Sequence, residues 1–155
     1  MSDPRGMVGA MVDFPVLRQT VLDAVDARGI AEFYRRLLGL RYRIGDEPPT
    51  DGAPDRQATE WLALRDAHGM PVLAVQPVET LPPVDWPHGY QRVHLDLTVP
   101  TTPDLERQHA RALDLGATML LDRSDDEHEP LYVYADPAGH PFCIFVAPGT
   151  PDDGH

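Results

Sequence analysis

The chain has 155 residues and a formal net charge of -12, with 42% hydrophobic and 25% charged residues. These values fit one compact domain, because two large domains would need a longer chain and general disorder would need fewer apolar residues. The acidic balance disfavours nucleic acid and membrane surfaces as partners. All 13 basic residues are Arg, which excludes Schiff-base lysine chemistry and the lysine of a phosphate-binding loop.

The cysteine and serine content excludes further classes of protein. Cys143 is the single cysteine, so an internal disulfide and a Cys-rich zinc site are excluded. Serine occurs only at Ser2 and, within an acidic segment, at Ser124, which argues against a serine hydrolase. No apolar run approaches the roughly 20 residues of a membrane span. Residues 1–15 lack the pattern of a secretion signal, so we expect a cytoplasmic protein.

The first half of the chain predicts a strand, a helix and further strands. Strands are predicted at residues 17–25 and 40–44, with a helix between them that begins after Asp26 as N-cap and ends at Gly39. The apolar face of this helix follows helical spacing at Ile30, Phe33, Leu37 and Leu38. Residues 45–57, rich in Pro, Gly and Asp, predict a long loop of the kind that can close over a site.

The second half predicts the same order of elements. A strand is predicted at residues 92–99 and another at 117–121, with a helix between them. Thr102 is the expected N-cap, Pro103 occupies the first turn and Gly116 ends the helix. Its apolar face comprises Leu105, Ala112 and Leu113.

A repeat links the two halves. Residues 66–75, DAHGMPVLAV, align with residues 136–145, DPAGHPFCIF, with Asp, Gly and Pro at identical offsets. Each copy predicts a turn between two strands of a hairpin, with Asp66 and Asp136 as turn residues. The order strand, helix and three strands therefore occurs twice. It predicts an α+β fold in which two paired βαβββ modules form a curved mixed sheet with a concave cup.

The repeat also predicts the boundaries of the domain, its two modules and the linker between them. Residues 1–16 are predicted to be a flexible N-terminal segment and residues 147–155 a C-terminal tail. Residues 17–146 form the single domain, with modules at 17–77 and 92–146 and a Pro-rich linker at 78–91.

This organisation resembles the vicinal oxygen chelate superfamily, which includes glyoxalase I, the bleomycin-resistance proteins and the extradiol dioxygenases. The resemblance rests on FYRRLLGL at residues 33–40, HLDL at 94–97 and DPAGHPFC at 136–143. The Trp-Pro pair at 86–87 before HLDL is similar to the glyoxalase-like subgroup of high-GC bacteria. The absence of Lys and Asn agrees with a GC-rich genome.

The resemblance implies four positions at which family enzymes hold a divalent metal. They fall on Gln19 and His94 in the first strand of each module, and on Leu73 and Cys143 in the last. Neither last-strand residue is the carboxylate that is usual in the family, so no metal is assigned here. If a divalent metal binds, Gln19, His94 and Cys143 are its expected ligands.

His94 and Asp96 are the candidate catalytic residues, since they share one face of an alternating strand. Asp96 would orient His94 as a base; the alternative is that His94 is a hydrogen-bonded polar residue in a protein without catalysis. Cys143 has two interpretations as well, a packed small hydrophobe or a thiol facing the cup.

The cup is expected to bind a small molecule. Its candidate ligand-binding residues are Gln19, Trp61, Leu73, Tyr134 and Cys143. Two functions stay open: a lyase-type or isomerase-type enzyme acting on a small metabolite, and a non-catalytic protein that sequesters a drug-like molecule. The acidic charge and the aromatic residues suit a cationic aromatic ligand in the second case. The resemblance also implies a homodimer.

Overall fold

The computed structural model describes residues 14–89 and 93–147. Most of the predicted N-terminal segment, residues 1–13, lies outside the described residues. So do residues 90 and 91 at the end of the predicted linker, residue 92 at the start of the predicted second module, and residues 148–155 of the predicted C-terminal tail.

The first module contains one helix on a four-stranded sheet. Its elements are β1 (Thr20–Ala24), α1 (Ala27–Leu38), β2 (Arg41–Tyr42), β3 (Leu62–Arg65) and β4 (Pro71–Pro77). The strand order is β1-β4-β3-β2, with β1 and β4 parallel and the other pairs antiparallel. The parallel pair is possible because α1 carries the chain from one end of the sheet back to the other.

The second module repeats this topology. It consists of β5 (Leu95–Val99), α2 (Thr102–Asp114), β6 (Thr118–Arg123), β7 (Leu131–Ala135) and β8 (Pro141–Val146). The strand order β5-β8-β7-β6 matches the first sheet position for position. The predicted α+β architecture of two βαβββ modules is confirmed, with one open, curved sheet in each module.

Both helices have side-chain caps at their first turns. Asp26 caps α1 as predicted, its Oδ1 accepting from the backbone N of Gly29 at 2.9 Å. Gly39 ends α1 with φ at 67°, a conformation that favours glycine. Thr101 rather than the predicted Thr102 caps α2, since its Oγ1 accepts from the backbone N of Asp104 at 3.2 Å.

The two modules share one hydrophobic core between the helices and the sheets. Phe33 and Tyr34 of α1 lie 5.8 and 6.2 Å, between ring centroids, from Phe142 of β8. Phe142 also stacks on Tyr134 of β7 at 5.0 Å. All four aromatic side chains are at most 3% exposed. A module alone would expose this aromatic cluster, so burial of its rings favours pairing of the modules.

The loop at residues 45–57 is fastened to α1. Arg28 forms a bidentate ion pair with Asp55, at 2.7 and 2.8 Å, and donates to the backbone O of Asp46 at 2.6 Å. The buried carboxylate of Asp46 accepts from the backbone N of Ala63, which completes the edge of β3 where β2 has ended. These contacts hold the loop against its own module.

Candidate functional site

A pocket of about 440 Å³ lies over the second sheet, on the face away from the helices. Its apolar surface includes Leu121, Val133 and Phe145, and Trp86 of the linker forms part of its wall. Five side chains with charged or titratable groups also line it: His94, Asp96, Arg123, Glu129 and Cys143. An apolar pocket with a few convergent polar groups is the usual form of a small-molecule site.

Strand pairing brings the centre of the site together. β5 and β8 run parallel with Asp96 in register with Cys143, so the two side chains lie side by side on the same face. His94 lies two residues before Asp96 and shares its face. The alternate residues of β8, Phe142 and Ile144, point into the core.

One carboxylate oxygen of Asp96 contacts both His94 and Cys143. The Nε2 of His94 lies 3.1 Å from Oδ1 of Asp96, and the thiol of Cys143 donates to the same oxygen at 2.9 Å. The side chains of His94 and Asp96 are 62% and 59% exposed, so their pairing alone contributes little to stability. A ligand that excludes water would strengthen these contacts.

The thiol of Cys143 is a hydrogen-bond donor in this site. Burial, together with the hydrogen bond to Asp96 and the charge of that carboxylate, raises the pKa of Cys143 to about 12. Cys143 is therefore protonated at neutral pH. A protonated thiol is a poor nucleophile and a poor metal ligand.

We expect Cys143 to react slowly with iodoacetamide near neutral pH. The raised pKa leaves about a thousandth of the thiolate that an ordinary cysteine has. The rate should rise with pH well above pH 9, and Asp96→Asn should increase it at neutral pH because the repelling charge is gone. Mass spectrometry of the alkylated protein measures this rate. Rapid alkylation of the folded wild type, with no gain in Asp96→Asn, would contradict the assigned hydrogen bond.

A β-bulge changes the predicted role of Leu73. In the first module the register between β3 and β4 shifts between Leu64 and Arg65, which leaves Val72 as an extra residue. The second module has no such shift between β7 and β8. Leu73 therefore turns into the core beneath α1, where it is 3% exposed, and Ala74 takes the place that corresponds to Cys143.

Tyr134 also lies outside the pocket, contrary to its predicted place in the cup. It is fully buried on the helix side of β7, with its hydroxyl 2.9 Å from Nδ1 of His109 in α2. Val133 occupies the pocket face instead. Tyr134 therefore contributes to the core and does not contact a ligand in this pocket.

Gln19 and Trp61 belong to the first module, and neither lines the pocket over the second sheet. Gln19 lies just before β1 and Trp61 just before β3, and both are partly exposed. Of the predicted site residues, the structure brings His94, Asp96 and Cys143 together. It adds lining residues that the sequence prediction did not select, among them Trp86, Arg123, Glu129 and Phe145.

The donor set does not fit the divalent metal of the family's enzymes. Of the two family metal positions in the first module, Gln19 does not line the pocket, and the last-strand position is occupied by Ala74, which has no donor atom. Val21, which pairs with Ala74 as Asp96 pairs with Cys143, has no donor atom either. In the second module the Cys143 thiol is protonated and bonded to Asp96. Within residues 14–89 and 93–147, no three His, Cys, Asp or Glu side chains are grouped to hold a metal ion. The residues of this site therefore do not support a metal-dependent step.

The sequence prediction also missed a buried polar cluster between the modules. Asp136, predicted only as a turn residue, accepts from the hydroxyl of Tyr34 at 2.8 Å and lies 2.7 Å from Nδ1 of His140. One sequence signal was available. His140 corresponds to Met70 in the repeat, so the second copy carries a titratable group where the first carries an apolar one.

The paired βαβββ modules and the pocket on one sheet define a protein of the glyoxalase, bleomycin-resistance and dioxygenase class, the vicinal oxygen chelate fold. The family model described as "Glyoxalase-like domain" matches residues 19–145. The chain belongs to this family. No curated protein matches the sequence.

Solved structures agree on the fold. A glyoxalase/bleomycin resistance protein/dioxygenase family enzyme from Burkholderia phytofirmans has a TM-score of 0.59 at 15% identity, over 83% of this chain and 96% of that one. A glyoxalase/dioxygenase from Nostoc punctiforme has a TM-score of 0.60 at 17% identity, over 90% and 95%. A genomically encoded fosfomycin resistance protein from Listeria monocytogenes has a TM-score of 0.61 at 11% identity, over 86% and 94%.

Identities of 11–17% support a shared fold and do not identify a ligand.

Neither described α-helix is long and apolar enough to cross a membrane.

Proposed function

We propose that this protein binds a small organic cation with an apolar or aromatic body in the pocket over the second sheet, and that it does so without catalysis. The observation that carries the proposal is the charge of the pocket. Asp96 and Glu129 place two carboxylates around an apolar floor. Arg123, the one arginine among the described lining residues, is paired with Asp126 at 2.6 Å.

The residues that line the pocket can contact both the cationic group and the aromatic body of such a ligand. A cationic group would bond to the Asp96 carboxylate, whose position is held by the Cys143 thiol. An aromatic body would contact Phe145 and Trp86. The net charge of -12 would attract a cation from a distance.

The chemistry of the site favours binding over turnover. A nucleophilic step would need a thiolate, and Cys143 is a protonated donor. A metal-assisted step would need donors from the first module, where Gln19 does not line the pocket and Val21 and Ala74 have no donor atom.

The test uses three probes of similar shape and different charge: phenethylammonium, 3-phenylpropan-1-ol and 3-phenylpropionate. We expect titration calorimetry at low salt to give affinities in the order cation, alcohol, anion. NMR shifts on ligand addition should concentrate at β5 and β8. Equal affinities, or shifts confined to the first module, would contradict the proposal.

A second candidate is a metal-independent acid–base enzyme, which the 3.1 Å contact between His94 and Asp96 favours. An Asp-oriented imidazole could move a proton on a bound metabolite. The two functions differ in the His94→Ala variant. As a binding protein the variant should bind phenethylammonium within about fivefold of wild type, because the carboxylate anchor is retained. As an enzyme it should lose turnover of any substrate found by screening.

Source, location and assembly complete the proposal. The lack of Lys and Asn supports a place in the glyoxalase-like subgroup of high-GC bacteria. The lone cysteine supports a cytoplasmic location. We further propose a homodimer, which gel filtration with light scattering would test.

A further inference from the structure

The two hairpin turns of the repeat differ in how they use their aspartate. Oδ1 of Asp66 accepts from the backbone N of His68 and Met70, at 2.8 and 2.9 Å. Oδ1 of Asp136 accepts from the corresponding N atoms of Ala138 and His140, at 2.9 and 3.0 Å. One oxygen is therefore enough to form the turn in both modules.

The second oxygen of Asp136 has a separate role. Oδ2 accepts from the Tyr34 hydroxyl at 2.8 Å and lies 2.7 Å from Nδ1 of His140. The Asp136 side chain has no exposed surface, and Tyr34 comes from α1 of the other module. A buried carboxylate is costly unless it is paired, so Tyr34 and His140 compensate for its burial.

His140 also faces the first module. Asp23 of β1 lines a cavity together with His140, and its backbone and charge lie close enough to affect the ring. The ring therefore has Asp136 of its own turn and Asp23 of β1 beside it, and both carboxylates favour the imidazolium. Burial lowers the pKa of His140, but the bond and charge of Asp136 and the backbone and charge of Asp23 outweigh it, so the pKa is raised above 6.5.

Other titratable groups border the ring through two cavities. His94, just before β5, lines a cavity of about 330 Å³ at the seam between the modules, together with Asp23 and His140. Asp85 and His88 of the linker line a second cavity with His140. The Tyr34 hydroxyl remains protonated, since burial and the charge of Asp136 raise its pKa.

We propose that His140 is a proton-dependent clasp between the two modules: as an imidazolium it pairs with Asp136, to which Tyr34 of α1 is bonded, and is attracted to Asp23 of β1. Its deprotonation removes both charge interactions and loosens the seam. The seam cavity and the ligand pocket share His94 and Pro141, so the clasp lies beside the pocket. The clasp does not depend on the ligand proposed above.

The test compares His140→Gln with wild type and with His68→Gln by urea unfolding from about pH 5.5 to about pH 8.5. Gln fills a similar space and does not titrate. His68 is an exposed histidine of the equivalent turn, so its variant controls for loss of a histidine. All three proteins are measured without ligand.

The direction of the pH dependence of stability follows from the linkage between protonation and folding. Because the pKa of folded His140 is raised, its contribution is complete below the unfolded pKa and is lost as pH rises through the folded value. The ratio of the unfolding constant of His140→Gln to that of wild type should therefore fall severalfold from low to high pH. The same ratio for His68→Gln should change less, because His68 is exposed. A constant ratio for His140→Gln, or an equal fall for His68→Gln, would overturn the clasp.

NMR titration gives a readout that a purely structural role would not change. The His140 ring should titrate above pH 6.5, and amide exchange in β1, corrected for the intrinsic effect of pH, should rise over the same range. Tyr34→Phe leaves Asp136 with one fewer donor, so the His140 pKa should rise further. Titration below pH 6.5, or β1 exchange that does not follow it, would contradict the proposal.

Discussion

The Phe142→Ala variant is expected to lose about 3–5 kcal/mol of the free energy of unfolding, the range for removing a buried aromatic ring. Phe142 has no exposed surface and packs against Phe33 and Tyr34 of one module and Tyr134 of its own. The substitution therefore leaves a cavity at the junction of the modules. Urea unfolding followed by tryptophan fluorescence measures the loss.

Phe145→Ala is the matched control on the same strand. Phe145 lies on the opposite face of β8 and lines the pocket. Its removal empties space that is already open to solvent, so a loss below about 1.5 kcal/mol is expected. Phe145→Ala should instead weaken phenethylammonium binding. Equal losses of stability would mean that the two faces of β8 are not divided between core and pocket.

This division of faces shows where prediction from sequence was limited. The repeat, the helix spacing and the turn residues predicted both modules, because each is a local pattern with a local cause. In β7, however, Tyr132, Val133 and Tyr134 are apolar or amphipathic on both faces. Alternation predicts that neighbours point apart, but it does not say which face meets α2.

The bulge at Val72 is a second limit. Alignment of the two repeats assumes equal spacing along both hairpins, and the extra residue in β4 breaks this spacing. Leu73 was therefore assigned to the wrong face. A single inserted position reverses every later side chain of a strand, and the sequence PVLAV carries no mark of it.

His94, Asp96 and Cys143 come together because β5 and β8 pair with Asp96 in register with Cys143 and because β8, unlike β4, has no bulge against its antiparallel neighbour. The partnership of Asp136 with Tyr34 joins residues 102 positions apart in the chain. Such a contact depends on how the modules pack, which local patterns do not specify.

Asp96→Asn should weaken the binding of phenethylammonium by about tenfold while leaving that of 3-phenylpropan-1-ol within about twofold. A hydrogen bond to a charged group is worth about 1.5–3 kcal/mol, and partial exposure of the Asp96 side chain places the effect at the lower end. Asn keeps the size of the side chain and an acceptor oxygen, so the change removes charge and little else. Calorimetric titration of both probes measures the difference.

Glu127→Gln is the control for net charge. Glu127 is exposed and does not line the pocket, yet its substitution changes the charge of the protein by the same amount. If attraction came from the overall charge of -12, both variants would lose affinity equally and added salt would remove the loss. If Asp96 is the anchor, only Asp96→Asn loses affinity, and most of the loss persists in salt because a bound ligand excludes water from the contact. Equal losses of affinity in the two variants would therefore show that Asp96 is not the anchor for the cation.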